Sequence, residues 1–327
     1  MINFQFVRTS VIKTALSLIG KDPKATFIAG GTNLVDLMKR GVTAPEKLID
    51  INHLPLKQIE LKNNVLHIGA LVSNSALAEN TLVKEKFPLL MLALQAGASA
   101  QLRNVATVGG NMMQRTRCGY FYDTTMPCNK RQPGSGCGAI GGYNRMHAIF
   151  GTSESCIAVH PSDMCVGLVA LDAQVVLASS KGERKINFID FHRLVGTTPE
   201  KDNNLQKGEL IVRLEIPVNN LNKNFHYLKV RDRSSYAFAL VSVAAALEMK
   251  NNIITNVRLA MGGVAHKPWR LKLVEEFLKG KPATTTTFEE AAKLAMKDAR
   301  GFGENDFKLK LAPNTLIEAL TIAKSKA

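Results

Sequence analysis

The sequence predicts an α+β protein on three observations. A short apolar run ends at Gly30-Gly31 and gives way to a helix. A β-textured stretch begins at Lys57, and the C-terminal third passes from apolar β-rich runs into helices.

In chain order, residues 10–19 read as an amphipathic helix and 25–29 as a short strand. The glycine pair then breaks the strand, and Thr32 can cap a helix over 33–40. Residues 59–61 and 65–68 flank Asn63-Asn64, the signature of a hairpin. Helical runs follow at 74–78 and 88–96, then a second apolar-to-glycine break at Val108-Gly109-Gly110-Asn111. Beyond an irregular stretch from Arg115 to Ser155, residues 164–171 and 174–177 read as buried elements, and 209–216 as a strand stopped by Pro217. The polar segment 219–224 reads as a linker. Residues 236–249 and 253–262 are β-rich runs around Asn251-Asn252, and helices are predicted at 269–278, 288–298 and 315–324. The expected domains are 1–56, 57–218 with 115–156 as an insertion, and 224–327.

Composition excludes several classes. The chain has 327 residues, room for two or three domains at roughly 150 each. Its 46% hydrophobic and 21% charged residues are ordinary globular usage. No apolar stretch reaches the ~20 residues that span a bilayer, so no membrane insertion is expected. The first residues lack a basic region followed by an apolar one, so no secretion signal is expected either. The formal charge of +15 invites an anionic partner. The basic residues form no long block and no aromatics interleave with them, which argues against nucleic acid. An acidic partner subunit or plain solubility accounts for the excess.

The glycine pairs carry the first chemistry. Phe27-Ile28-Ala29-Gly30-Gly31-Thr32-Asn33-Leu34 puts two residues without Cβ where a strand meets a helix, so backbone N–H groups can converge on an anion. It has neither the G-x-G-x-x-G nor the P-loop spacing, and alone it reads equally well as a tight turn. Thr107-Val108-Gly109-Gly110-Asn111 repeats the device, again with a hydroxyl and an amide beside the glycines. Two such cradles suggest a dinucleotide.

The cysteines carry the second. Four of the five, Cys118, Cys128, Cys137 and Cys156, fall within 39 positions and include no C-x-x-C pair. The segment is rich in glycine and lacks the pattern to bury a core by itself. A [4Fe–4S] cluster, a structural Zn²⁺ or two disulfides could hold it. The nearby Arg115, Arg117, Lys130, Arg131 and Arg145 favour the anionic cluster. Cys165, inside an apolar run, reads as a core thiol.

With Gln101-Leu102-Arg103-Asn104-Val105-Ala106 leading into the second glycine pair, and His160-Pro161-Ser162-Asp163 after the cysteines, the sequence resembles the FAD-binding medium subunits of the xanthine dehydrogenase and molybdenum hydroxylase family. The resemblance spans the whole chain. The cysteine segment, absent from most medium subunits, is similar to the [4Fe–4S]-carrying branch in bacterial periplasmic aldehyde oxidoreductases.

That resemblance implies a two-subdomain FAD-binding fold of the vanillyl-alcohol-oxidase type, followed by a C-terminal α+β domain like that of CO dehydrogenase flavoproteins. It assigns Phe27, Ile28, Ala29, Gly30, Gly31, Thr32, Asn33, Leu34 and Val35 to the FAD pyrophosphate, with Thr107, Gly110 and Asn111 contacting it from the other subdomain. It places Asp163 on the ribityl or adenosine side, Ile211 against the ring system and Lys229 near the isoalloxazine. Read without it, Asp163 is a helix-capping residue and Lys229 lies on a solvated strand face. The implied ligands of one [4Fe–4S] cluster are Cys118, Cys128, Cys137 and Cys156.

The implied function is electron transfer from a small partner subunit with [2Fe–2S] clusters, through FAD, to an external acceptor. Substrate oxidation would occur at a molybdenum cofactor on a large partner subunit, in a heterotrimer. No catalytic acid or base is expected in this chain. Assembly in the cytoplasm is implied, with carriage to the periplasm on a partner's twin-arginine signal as one outcome. The rival reading is a zinc-stabilised nucleotide-binding protein without a redox role.

Overall fold

The computed structural model describes residues 1–326. Three sheets organise it, and the α+β expectation holds. The first is parallel: β1 (Gln5–Arg8), β2 (Ala25–Ile28) and β3 (Lys47–Asp50), in the order β1-β3-β2, with the helix Ile12–Lys21 crossing between the first two. β1 and β3 escape sequence reading because four residues of mixed polarity show no period. Parallel strands present one common carboxyl edge, where ligands of such sheets usually sit, and Gly30-Gly31 lies just beyond it. There the amide of Asn52 donates to the Ala29 carbonyl at 3.0 Å and to Asp50 at 2.8 Å, fixing where the loop leaves the sheet.

The second sheet is antiparallel, in the order β4-β5-β8-β6-β7: β4 (Ile59–Lys62), β5 (Val65–Gly69), β6 (Gln174–Ser179), β7 (Gly182–Asn187) and β8 (Leu210–Pro217). Asn63 and Asn64, at φ 49° and 58°, make the two-residue turn that suits the strand twist. Both faces of β6 are covered. Val175 and Leu177 pack with Leu66, Ile68 and Leu214, while Val176 and Ala178 pack with Ala15, Ile49 and Val212 under the first sheet. That double burial explains its unbroken apolar run.

The third sheet comprises β9 (Asn224–Val230), β10 (Val241–Lys250), β11 (Ile253–Gly262) and β12 (Trp269–Arg270), in the order β12-β11-β10-β9. Val243, Ala245, Leu247, Val257 and Leu259 face the helices Lys272–Leu278, Thr285–Ala295 and Lys308–Ser325. Ala244, Ala246 and Ala260 face the core of the second sheet, where the helix Asp163–Ala170 is buried at every residue. Small side chains on that face let helix and sheet approach closely.

Several local expectations need correction. Thr32 caps nothing: the helix is Leu34–Lys39, with Asn33 at its N-cap position. Gly109-Gly110 does not follow a strand, since it lies inside the short helix Val108–Met112, preceded by the helix Ala100–Val105. Trp269–Arg270 is a strand rather than the start of a helix, and the last helix runs back through Pro313 to Lys308.

The stretch 115–156 contains one short helix, Gly119–Tyr122, and the isolated bridges Cys128↔Cys137 and Ser153↔Cys156. A web of side-chain bonds shapes it. Arg131 donates to the carbonyls of Tyr120 and Phe121 at 2.7 and 2.9 Å, and Asn129 accepts from the N–H groups of Gly134 and Gly136. The buried amide of Asn144 donates to Phe302 O at 2.8 Å and accepts from Asn305 N, tying the stretch to the C-terminal region. The segment therefore has internal supports that its composition did not reveal.

Candidate functional site

Between the first two sheets lies a cleft of about 550 Å³. Phe27, Ile28, Ala29, Gly30, Gly31, Thr32, Asn33 and Leu34 line it from one side, Thr107 and Gly110 from another, and Ile211 from β8. Gly31 sits at φ 70°, the left-handed region that favours glycine. Among the described residues, the N–H groups of Gly30, Gly31, Thr32 and Asn33 donate to no backbone carbonyl. Four free donors in a row make a ready anion cradle.

The opposite wall is held close. A Cβ on Gly30 would lie 2.1 Å from the Val105 carbonyl oxygen, so the two glycine loops touch backbone to backbone. Thr107 caps its helix by accepting from Gly110 N at 3.2 Å, and a Cβ on Gly110 would meet only that Thr107 oxygen. Its other side is open to the cleft. Thr107→Ala should lower stability by about 1 kcal/mol through the lost cap, read as a lower urea midpoint with an unchanged slope.

Four predicted residues lie outside this lining. Val35 packs behind the loop, against Gly31. Asn111 turns toward the next region, where its Oδ1 accepts from Ser162 Oγ at 2.5 Å and from Gln114 Nε2 at 2.8 Å. Asp163 and Lys229 form a buried ion pair at 2.7 Å, with 6% and 4% of their side chains exposed. Lys229 also donates to Ala96 O, and the Tyr227 hydroxyl donates to Asp163 at 2.8 Å. Neither simple reading of the two holds: Ser162, not Asp163, caps its helix, and Lys229 is not solvated. Burial, with Asp163 beside it, pushes the Tyr227 hydroxyl far above its usual range.

A second cavity, of about 470 Å³, is lined by Asp163, Ser162, Ser242, Phe238, Arg117, Tyr143 and Cys118 among others. Beside it, a third and much smaller one, of about 10 Å³, is lined by Cys118, Cys128, Cys137 and Cys156 together. Thr116, Cys118, Tyr120 and His147 border both. The four cysteines thus converge across 39 positions, and all are free thiols. Burial pushes the Cys118 thiol up to about 11. Cys156 donates its proton toward Cys137, which raises Cys156 and lowers Cys137.

The sulfurs of a tetrahedral zinc site lie about 3.8 Å apart. Among the described residues, the one trio of His, Cys or acidic ligand atoms mutually within 4.8 Å is His160, Cys165 and His192. No three of the four clustered thiols lie mutually within 4.8 Å. No spacing along the chain points to the His160–Cys165–His192 trio. His192 Nε2 donates to Met112 O at 2.9 Å, and burial lowers its imidazole to about 4.

The five cations expected to favour an anionic cluster are engaged elsewhere. Arg115 and Lys130 both bind Asp202, at 2.6 and 2.5 Å, and Lys130 also donates to Pro199 O. Arg145 pairs with Asp232, Arg131 with carbonyls, and Arg117 with Arg115 O. They shape the segment more than they bathe the thiols in charge.

Fold and site define a chain with a glycine-lined cleft between two sheets that suits a dinucleotide, beside four thiols that line one small cavity. Residues 2–219 match the FAD binding domain in molybdopterin dehydrogenase, and residues 226–323 the CO dehydrogenase flavoprotein C-terminal domain. The chain is 47% identical, over 99% of its length and 99% of the relative's, to the aldehyde oxidoreductase FAD-binding subunit PaoB of Escherichia coli. It is 31% identical to the glyceraldehyde dehydrogenase medium chain of Sulfolobus acidocaldarius, over 85% of this chain and 82% of that one. A solved carbon monoxide dehydrogenase from Hydrogenophaga pseudoflava shares the fold, with a TM-score of 0.79 at 24% identity and 100% coverage of both chains. The chain belongs to the FAD-binding medium subunits of the molybdenum hydroxylase family, and it is an oxidoreductase subunit. The reading as a nucleotide-binding protein without a redox role falls with that finding.

Proposed function

We propose that this chain is the electron-transfer subunit of a molybdenum-dependent aldehyde oxidoreductase, carrying FAD and one [4Fe–4S] cluster. The observation that carries the cluster is the single small cavity walled by all four thiols. The substrate class follows the relative named an aldehyde oxidoreductase subunit.

In this reading the free N–H groups of Gly30 to Asn33, with Thr107 and Gly110 opposite, hold the FAD phosphates. Ile211 supplies an apolar wall. The Asp163–Lys229 pair and Asn111, joined through Ser162, support the boundary between the cleft and the second cavity. FAD, when bound, supplies a carrier able to exchange electrons both singly and in pairs. The chain's own residues position that carrier, bury Cys128 and Cys156 and leave substrate chemistry to a large molybdopterin-binding partner. A small [2Fe–2S] partner would deliver the electrons, and an external acceptor would remove them. No helix among the described residues is long and apolar enough to cross a membrane. We place assembly in the cytoplasm, with export dependent on a partner's twin-arginine signal.

The test is co-purification with the partner subunits, followed by flavin, iron, sulfide and molybdopterin analysis. Wild type should hold about four iron and four sulfide per medium chain. Cys128→Ser and Cys156→Ser should lose most of that iron while keeping FAD, because the glycine cleft is built from other residues. Zinc in place of iron, or wild-type iron in both variants, overturns the cluster reading.

A further inference from the structure

We propose that His147 is a positioning residue for the iron–sulfur centre: its Nε2–H donates to the Cys118 sulfur and raises the reduction potential of the cluster. This rests on the cluster reading above and goes beyond it. The imidazole Nε2 lies 3.1 Å from Cys118 Sγ. A thiolate bound to iron has only lone pairs to offer, so the shared hydrogen must come from the histidine. Among the described residues the buried Nδ1 has no hydrogen-bond partner of good geometry, and Nε2 makes the contact with sulfur.

Cys156 is served by the backbone instead. Cys156 Sγ accepts from the backbone N–H of Ala158 at 3.5 Å. Cys118 is also the one cysteine of the four that borders the second cavity as well as the cluster cavity, and His147 borders both beside it. The donor therefore acts on the one thiol of the four that lines both cavities.

His147 is held in place by its backbone. Its carbonyl accepts from the Lys308 ammonium at 2.9 Å and lies 3.4 Å from Asn305 Nδ2, and both of those residues are fully buried. Its N–H donates to Asn144 O at 2.9 Å. The C-terminal helix thus fixes the ring from a separate part of the fold. A hydrogen bond to a ligand sulfur draws electron density from the iron and stabilises the reduced, more negative cluster, most strongly in a dry site.

The test uses the protein purified with its partners. In His147→Phe, iron, sulfide and FAD content should match wild type, while the potential of the cluster, followed by its EPR signal in a redox titration, should fall. His147→Gln, which keeps an N–H donor, should recover part of that fall. Pulsed EPR of reduced wild type labelled with ¹⁵N-histidine should show a weak nitrogen coupling, and this readout stands even if the Phe variant loses its cluster. An iron-loaded Phe variant with unchanged potential, or a reduced wild type without the ¹⁵N coupling, overturns the role of His147. Wild type without iron overturns the cluster reading instead.

Discussion

Gly30→Ala is expected to strip the chain of flavin and to lower its stability by about 1–3 kcal/mol, the usual cost of overpacking. The new Cβ would sit 2.1 Å from the Val105 carbonyl oxygen and 2.9 Å from its carbon. Both are backbone atoms, so no rotamer change relieves the clash. The loops must part, and parting them moves Thr107 and Gly110 away from the donors on Gly31 and Thr32. Gly110→Ala is the control: its Cβ would approach only Thr107 Oγ1, at 3.0 Å, and would otherwise point into the cleft. It should weaken flavin retention with little effect on folding. The flavin-to-protein absorbance ratio, read with a urea melt, separates the two. Full flavin content in Gly30→Ala would show that the contact between the loops is not needed for binding.

Asp202→Asn should cost about 3–5 kcal/mol, because it leaves a buried cation without its partner. Lys130, with 1% of its side chain exposed, loses the carboxylate at 2.5 Å, and Arg115 loses the same partner at 2.6 Å. Burial alone would raise the Asp202 carboxyl. The hydrogen bond from His266 and the charges of Lys130 and Arg115 outweigh it and hold the group well below the usual carboxylate range. A depressed acid contributes stability that is present above its unfolded pKa, about 4, and lost as pH falls toward the folded value. The gap between wild type and variant in urea midpoint should therefore be full at pH 7 and narrow below about pH 4. Iron content should fall with it, since Lys130 lies between Cys128 and Cys137 and its anchor is lost. A gap that is small at pH 7, or that does not change with pH, would mean that Lys130 finds another partner.

The parts that could be read along the chain are those whose cause is local. Asn63-Asn64 names its own turn, Pro88 opens its helix at the first position, and the apolar runs at 241–250 and 253–262 are β-strands on either side of Asn251-Asn252. What escaped reading depends on remote partners. Thr32 and Asn33 are equally good caps on paper, yet Asn33 Oδ1 is taken by the N–H of Arg115, 82 residues away. Lys229 sits in a run that reads as an open strand face, and it is buried because Asp163 reaches it from a helix 66 residues earlier. His147 has no motif around it and matters only because Cys118 stands 29 residues before it.

By itself the sequence determined the chemistry available: two glycine pairs that free backbone donors, four thiols dense enough to require a common purpose, and the succession of strand-rich and helical segments. Residue type and short-range spacing fix those things, since a missing Cβ or a thiol acts wherever it lies. The tertiary structure alone decided which groups meet. It closed the glycine loops against each other, gathered the cysteines into one cavity, paired the nearby cations with Asp202 and Asp232, and set His147 against Cys118. Each of those contacts joins residues far apart in the chain, and only the packing of three sheets around shared cores brings them within a few ångströms.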